Sequence, residues 1–180
     1  MKVDMERLVE VPSGVQVSVN GNEVSVSKNG KTVKRTFDAG KVKLAMKDNK
    51  VSISAKKSTK RELKMIGTIN AHVKNMVKGA GEDFVYELEI CNVHFPMQVK
   101  VDGQSVRIKS FLGEKVDRIA KILPNVKVEV KGNKIEVKSG DVEAAGQTAA
   151  NIEKSTKVRN RDRRIFQDGI FITAKPKRKI

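Results

Sequence analysis

The chain of 180 residues has no tryptophan, one tyrosine and six phenylalanines, so aromatics make up 4%. That scarcity argues against a recognition module that stacks bases on aromatic platforms. If this chain binds nucleic acid, it grips backbone and shape. Cys91 is the only cysteine, which excludes an intramolecular disulfide and fits a reducing compartment. It lies in the apolar alternation Phe84, Tyr86, Leu88, Ile90, and the expectation there is a buried, inert thiol. His72 and His94 are the only histidines, and neither has a ligand partner at metal-binding spacing. No phosphate-binding loop, nucleophile elbow or paired carboxylate motif is present, so neither cofactor, metal, small-molecule substrate nor catalysis is expected. No apolar run approaches the length of about 20 residues that spans a bilayer. Met1-Lys2-Val3-Asp4 does not begin a signal peptide, so the expectation is a soluble intracellular protein with no membrane partner.

What is present in excess is positive charge, a formal +16. Such self-repulsion calls for a polyanionic partner. Residues 1 to 82 carry 17 basic and 8 acidic groups, residues 83 to 150 carry 10 of each, and residues 151 to 180 carry 10 and 3. The second half is therefore neutral in its body and basic in its tail. The tail cations are Lys154, Lys157, Arg159, Arg161, Arg163 and Arg164, then Lys175, Lys177, Arg178 and Lys179. Arginine forks pair bidentately with phosphate and stay charged when partly desolvated, which suits phosphate gripping. Phe166 and Phe171 follow the first cluster and read as apolar anchors for a charged strap.

The chain runs the same program twice. Val17 to Val26 alternates around Asn20-Gly21, a strong hairpin signal, and Val99 to Ile108 repeats it around Asp102-Gly103. Further turns are expected at Asn29-Gly30 and Asp48-Asn49. Gly30, Val33 and Arg35 align with Gly113, Val116 and Arg118 after a single-residue insertion. Val116, Ile119, Ile122 and Leu123 fit helical spacing about as well, and the first copy decides for a strand. Asn49-Lys50-Val51-Ser52-Ile53 matches Asn133-Lys134-Ile135-Glu136-Val137. A helix follows in each copy. In the first, Thr59 and Glu62 have capping-box spacing, and Leu63, Ile66, Ile69, Val73 and Met76 recur at helical intervals up to Gly79 and Gly81. Gly67 aligns with Gly146 and Val73 with Ile152, and close packing of helix on sheet, ahead of close approach of a phosphate backbone, is the expected reason for both glycines. The fold class is therefore α+β, with two tandem, internally duplicated domains, 1–82 and 83–180. Each is a small, mostly antiparallel sheet covered on one face by a helix, and the second carries a basic C-terminal extension.

Several stretches carry a resemblance across essentially the whole chain: Val11-Pro12-Ser13-Gly14-Val15, Gly67-Thr68-Ile69, Asn75 to Gly79, Leu88-Glu89-Ile90, Gly146-Gln147-Thr148-Ala149-Ala150-Asn151-Ile152 and Arg164 to Ile172. The sequence resembles large-subunit ribosomal protein six in its archaeal or eukaryotic form. The Tyr-Lys-Gly-Lys-Gly character of the bacterial tail is absent. The resemblance implies a structural, non-enzymatic protein of the large ribosomal subunit, at the ribosome in the cytoplasm. Its implied partners are large-subunit ribosomal RNA near the 3′ domain and sarcin-ricin region, neighbouring ribosomal proteins, and translation factors at the factor-binding platform. It assigns RNA contact to Lys154, Lys157, Arg159, Arg161, Arg163 and Arg164, structural motif roles to Gly67, Gly146, Gln147, Asn151 and Phe166, and to Asp168-Gly169 the turn that returns the chain to the fold; Lys175, Lys177, Arg178 and Lys179 read as an RNA-binding, RNA-inserting extension or as a loose end. A free-standing nucleic-acid chaperone or architectural protein is the alternative. A nuclease or RNA-modifying enzyme needs a buried carboxylate or histidine cluster assembled from distant residues.

Overall fold

A computed structural model describes residues 3–28, 30–47 and 49–176, and the backbone of 178–179. Asn29 and Asp48, expected in turns, and Lys177, expected to meet RNA, lie outside the described residues, as do the side chains of Arg178 and Lys179. The chain divides into two units, Met1–Glu82 and Asp83–Ile180.

In the first unit, β1 (Val3–Glu10), β2 (Gln16–Asn20), β3 (Glu23–Lys28), β4 (Lys31–Thr36), β5 (Lys43–Lys47) and β6 (Lys50–Ser58) precede helix α1 (Lys60–Gly81). The strands divide into two antiparallel sheets of order β1-β6-β5 and β2-β3-β4. Alternation sets which face is buried: Val24 and Val26 of β3 and Val51, Ile53 and Ala55 of β6 point inward. They meet Ile66, Ile69, Val73 and Val77, the stripe that recurs along α1. The helix starts where its capping box lies, with the Thr59 amide donating to Glu62 Oε2 at 2.8 Å. It ends after Gly81, where Glu82 turns extended.

The second unit repeats that order with β7 (Phe84–Cys91), β8 (Gln98–Asp102), β9 (Ser105–Lys109), β10 (Arg118–Lys121), β11 (Lys127–Lys131), β12 (Lys134–Ser139) and α2 (Val142–Ser155). It then adds β13 (Gly169–Lys175) and β14 (Arg178–Lys179). The sheets are β10-β9-β8 and β11-β12-β7-β13-β14. The second is the counterpart of β1-β6-β5 with one outer edge extended by the tail. Part of what composition marks as a basic tail is thus an inner strand, whose Ile170 is fully buried.

The repeat alignment needs one correction. Val26 pairs with Val33, and its counterpart Ile108 pairs with Arg118, so Arg118 stands opposite where Val33 does and Val116 lies before the strand. A 3-10 turn, Phe111–Gly113, takes up three extra residues rather than one, and its Phe111 fills the core. The strand reading holds, because β10 pairs with β9. Val116 is 78% exposed and belongs to the preceding loop.

The two aligned glycines serve different ends. A Cβ on Gly146 would come within 2.8 Å of Tyr86 Oη and 3.2 Å of its Cζ, so close helix–sheet packing accounts for this glycine. A Cβ on Gly67 would meet nothing within 4 Å, and the packing expectation fails there. Cys91 is half-buried rather than buried; burial, then the charges of Glu89 and Asp168, pushes its thiol pKa up, which favours the unreactive form.

Candidate nucleic-acid interface

The strap 157–168 leaves the end of α2 and returns as β13, and two buried polar side chains hold its ends. Thr156, 2% exposed, accepts from the Ile170 amide at 2.9 Å, and Glu153 Oε1 accepts from the Ile172 amide at 3.2 Å. At the other end the Asp168 side chain has no exposed surface. Its Oδ2 accepts from the amides of Val93 at 3.1 Å and His94 at 2.9 Å, with Phe95 at 3.5 Å, and its Oδ1 lies 2.7 Å from His94 Nδ1. Burial alone would raise the Asp168 pKa, but these hydrogen bonds outweigh it and hold the carboxyl below its ordinary value. Asp168 is therefore the clamp that fixes loop 92–97 to the strap rather than part of a simple turn. Gly169 beside it is crowded: a Cβ would meet Phe171 Cζ at 3.1 Å and Thr156 O at 3.5 Å.

Phe166 stacks on His94 with ring centroids 4.9 Å apart, and the Arg161 guanidinium lies over the Phe166 ring at 4.7 Å. Phe166 thus packs between a loop side chain and a strap cation. Phe171 is not: it is 40% exposed, and its neighbour Ile170 takes the buried place because the strand alternation turns that residue inward.

The strap cations fall into two groups. Arg161 lies on Phe166, and Arg164 forks Asp162 through Nε and Nη2, with Nη2 at 2.7 Å from Oδ2. That guanidinium holds the Asp162 carboxyl below its usual range. Lys154, Lys157, Arg159 and Arg163 are exposed, and none has a carboxylate partner within salt-bridge distance among the described residues. Lys175 is exposed at the end of β13. A shallow hollow of about 290 Å³ is lined by Arg118, Ile119, Lys154, Ser155 and Arg159, which places two of these heads at one concavity.

Sequence reasoning missed Arg118. It forks Glu114 with Nε–Oε2 2.8 Å and Nη2–Oε1 2.6 Å, lies 4.1 Å from the Phe111 ring centroid and donates through Nη1 to Ser155 O at 2.8 Å, at the end of α2. Its fork first, together with its charge and that of Arg161, keeps the exposed Glu114 ionised below the ordinary carboxylate range. No local motif announces this contact, since Arg118 and Ser155 are far apart in sequence. Gln147 Nε2 donates to Asn151 Oδ1 at 2.9 Å, and Asn151 Nδ2 donates to Lys121 O at 3.1 Å, tying α2 to β10.

Asp168 is the one buried acidic residue among those described, and its hydrogen bonds go to the fold. Among the described residues no group of three or more His, Cys, Asp or Glu side chains could hold a metal ion, and no helix is long and apolar enough to cross a membrane.

The family model for ribosomal protein L6 matches residues 11–82 and 95–169. The large ribosomal subunit protein uL6 of Methanosarcina mazei is 46% identical over 176 residues, covering 97% of this chain and 99% of that one. The uL6 of Methanococcus vannielii is 44% identical, covering 93% and 92%, and that of Aeropyrum pernix 47%, covering 91% of each. The two matched segments fall one in each unit, and the second ends where the strap meets β13.

Proposed function

The chain belongs to the ribosomal protein L6 family, and from that premise we propose that its second unit grips large-subunit ribosomal RNA near the 3′ domain and the sarcin-ricin region through the strap 157–168 together with Lys154 at the end of α2. As a member of that family it is a structural, non-enzymatic constituent of the large subunit. The observation that carries the RNA reading is the contrast along the strap. Its ends are held by buried Thr156 and Asp168, while Lys154, Lys157, Arg159 and Arg163 project into solvent without carboxylate partners.

A cationic segment that is already ordered gives up little conformational entropy on binding, so more of its charge attraction appears as affinity. With so few aromatics, the contacts are to phosphates, which position the protein on a folded RNA without reading bases. Arg161 and Arg164 are partly committed to Phe166 and Asp162. Arg164 can exchange its carboxylate for a phosphate of the same fork geometry. Lys175 at the end of β13 and the cations at 177–179 of the sequence add to the positive charge offered to the RNA. By support of the factor-binding region, this grip also brings neighbouring ribosomal proteins and translation factors within reach as partners.

The test is incorporation into large subunits. Arg159→Glu with Arg163→Glu is expected to reduce co-sedimentation with large subunits while leaving the thermal unfolding midpoint in place, since both side chains are exposed. Undiminished co-sedimentation of a folded double variant contradicts the proposal.

A further inference from the structure

The duplication exposes a difference between the units. Val9 of β1 pairs with Val51, and Leu88 of β7 pairs with Ile135; Val51 and Ile135 are counterparts through the shared Asn-Lys turns. Val9 therefore stands where Leu88 stands. On its other side Leu88 pairs with Ile172 of β13, whereas β1 is the outer strand of its sheet. The helices agree. Ile152 aligns with Val73, so Glu153 and Thr156, which bind the β13 amides, correspond to Lys74 and Val77.

Those residues border an open groove of about 780 Å³ between Leu8, Val9 and Glu10 of β1 and Lys74, Val77 and Lys78 of α1. Lys28 stands at its rim with Nζ 3.7 Å from where a Gly81 Cβ would be. The first unit thus keeps the seat that the second unit fills with its own strand.

We infer that this groove accepts an extended acidic segment of a partner protein, added as a strand along the outer edge of β1. An outer strand offers unused amide and carbonyl groups to an incoming chain. The aliphatic floor of Val9, Val15 and Val77 suits alternate side chains of that strand. Charge selects the occupant. Lys28, Lys74 and Lys78 have no carboxylate partner within salt-bridge distance among the described residues, while Glu10 is already matched by Lys50 at 2.8 Å. These lysines repel a second copy's β13 and its basic continuation, and they favour aspartate and glutamate. RNA fits less well, because the floor is aliphatic, the cations are lysines rather than arginine forks, and Glu82 also lines the groove. The inference is independent of RNA binding by the strap.

The probe is a labelled, end-blocked peptide of about eight residues, a strand's length, built from valine and aspartate. It is offered to the full chain beside a lysine-for-aspartate counterpart and a single-stranded oligouridylate. The aspartate peptide is expected to bind, the lysine peptide is not, and binding slows hydrogen exchange of amides within Val3–Glu10. Lys28→Glu, Lys74→Glu and Lys78→Glu together are expected to weaken it by about tenfold or more. The matching Lys→Gln set, a milder change should charge reversal impair folding, is expected to weaken it less. Arg159→Glu with Arg163→Glu leaves peptide binding unchanged, which separates this site from the strap. Absence of peptide binding, protection confined to segments other than β1, indifference to both lysine sets, or lysine-dependent binding of oligouridylate alone would each overturn the inference.

Discussion

His94 Nδ1 and Asp168 Oδ1 lie 2.7 Å apart across 74 residues of sequence, and the same carboxylate receives the His94 backbone amide at 2.9 Å. One buried side chain thereby fixes both a loop and the far end of the strap. Asn at position 168 keeps the shape but loses the charge that favours these donors. Asp168→Asn is expected to cost about 1–2 kcal/mol at neutral pH, the scale of charge-assisted hydrogen bonds. Because the folded-state pKa is depressed, the carboxylate's contribution is present above the unfolded value near pH 4 and is lost as pH falls through the lower folded value. Denaturant unfolding of both proteins at pH 7 and pH 3 should show the gap between them narrowing in acid. A gap equally wide at pH 3 would mean that charge is not what Asp168 supplies.

Arg118 joins Glu114, the Phe111 ring and the last carbonyl of α2. Lysine reaches only part of that geometry, since it has neither the planar fork nor the ring-stacking face. Arg118→Lys is expected to lower stability by about 1–2 kcal/mol and to speed amide exchange just after α2, where the strap begins. Unchanged exchange there would remove Arg118 as the brace of the strap's first end.

The paired glycines give opposite signs. Gly67→Ala adds a methyl to open space inside a helix and is expected to stabilise by about 0.5–1 kcal/mol. Gly146→Ala drives a methyl against Tyr86, so the helix-propensity gain is offset by displacement of that ring, and the net change is expected to be neutral or destabilising. Thermal unfolding midpoints decide it: equal gains at both sites would contradict the packing difference between the units.

Much of this architecture is legible in the residues. Period-two alternation around Asn20-Gly21 and Asp102-Gly103 marks the hairpins, and the stripe from Ile66 to Val73 marks α1, because local chemistry settles such elements. Phe166, Asp168 and the exposed cations were visible as a segment, but their partners were not. His94 and Arg118 reach the strap only through tertiary folding, and nothing near them in sequence encodes that contact. The Phe111–Gly113 turn hid the register of β10, since Val116 mimics the periodicity of the strand that begins two residues later. Charge density disguised β13: a run ending in Lys175 and Arg178 reads as tail, although Ile170 and Ile172 carry a strand's inward alternation.

The central claim is that an ordered strap, rather than net charge in general, binds ribosomal RNA. It is tested most directly by a salt titration of binding to the 3′ domain of large-subunit ribosomal RNA and to a length-matched scrambled RNA, for the full chain and for Arg159→Glu with Arg163→Glu. The full chain is expected to prefer the ribosomal RNA by about a thousandfold or more. The double variant is expected to lose most of that preference and to flatten the logarithmic salt slope by roughly 0.7–0.9 for each phosphate contact removed. Equal binding to both RNAs, with the variant changing only the slope, would make the chain a generic polycation and contradict the claim.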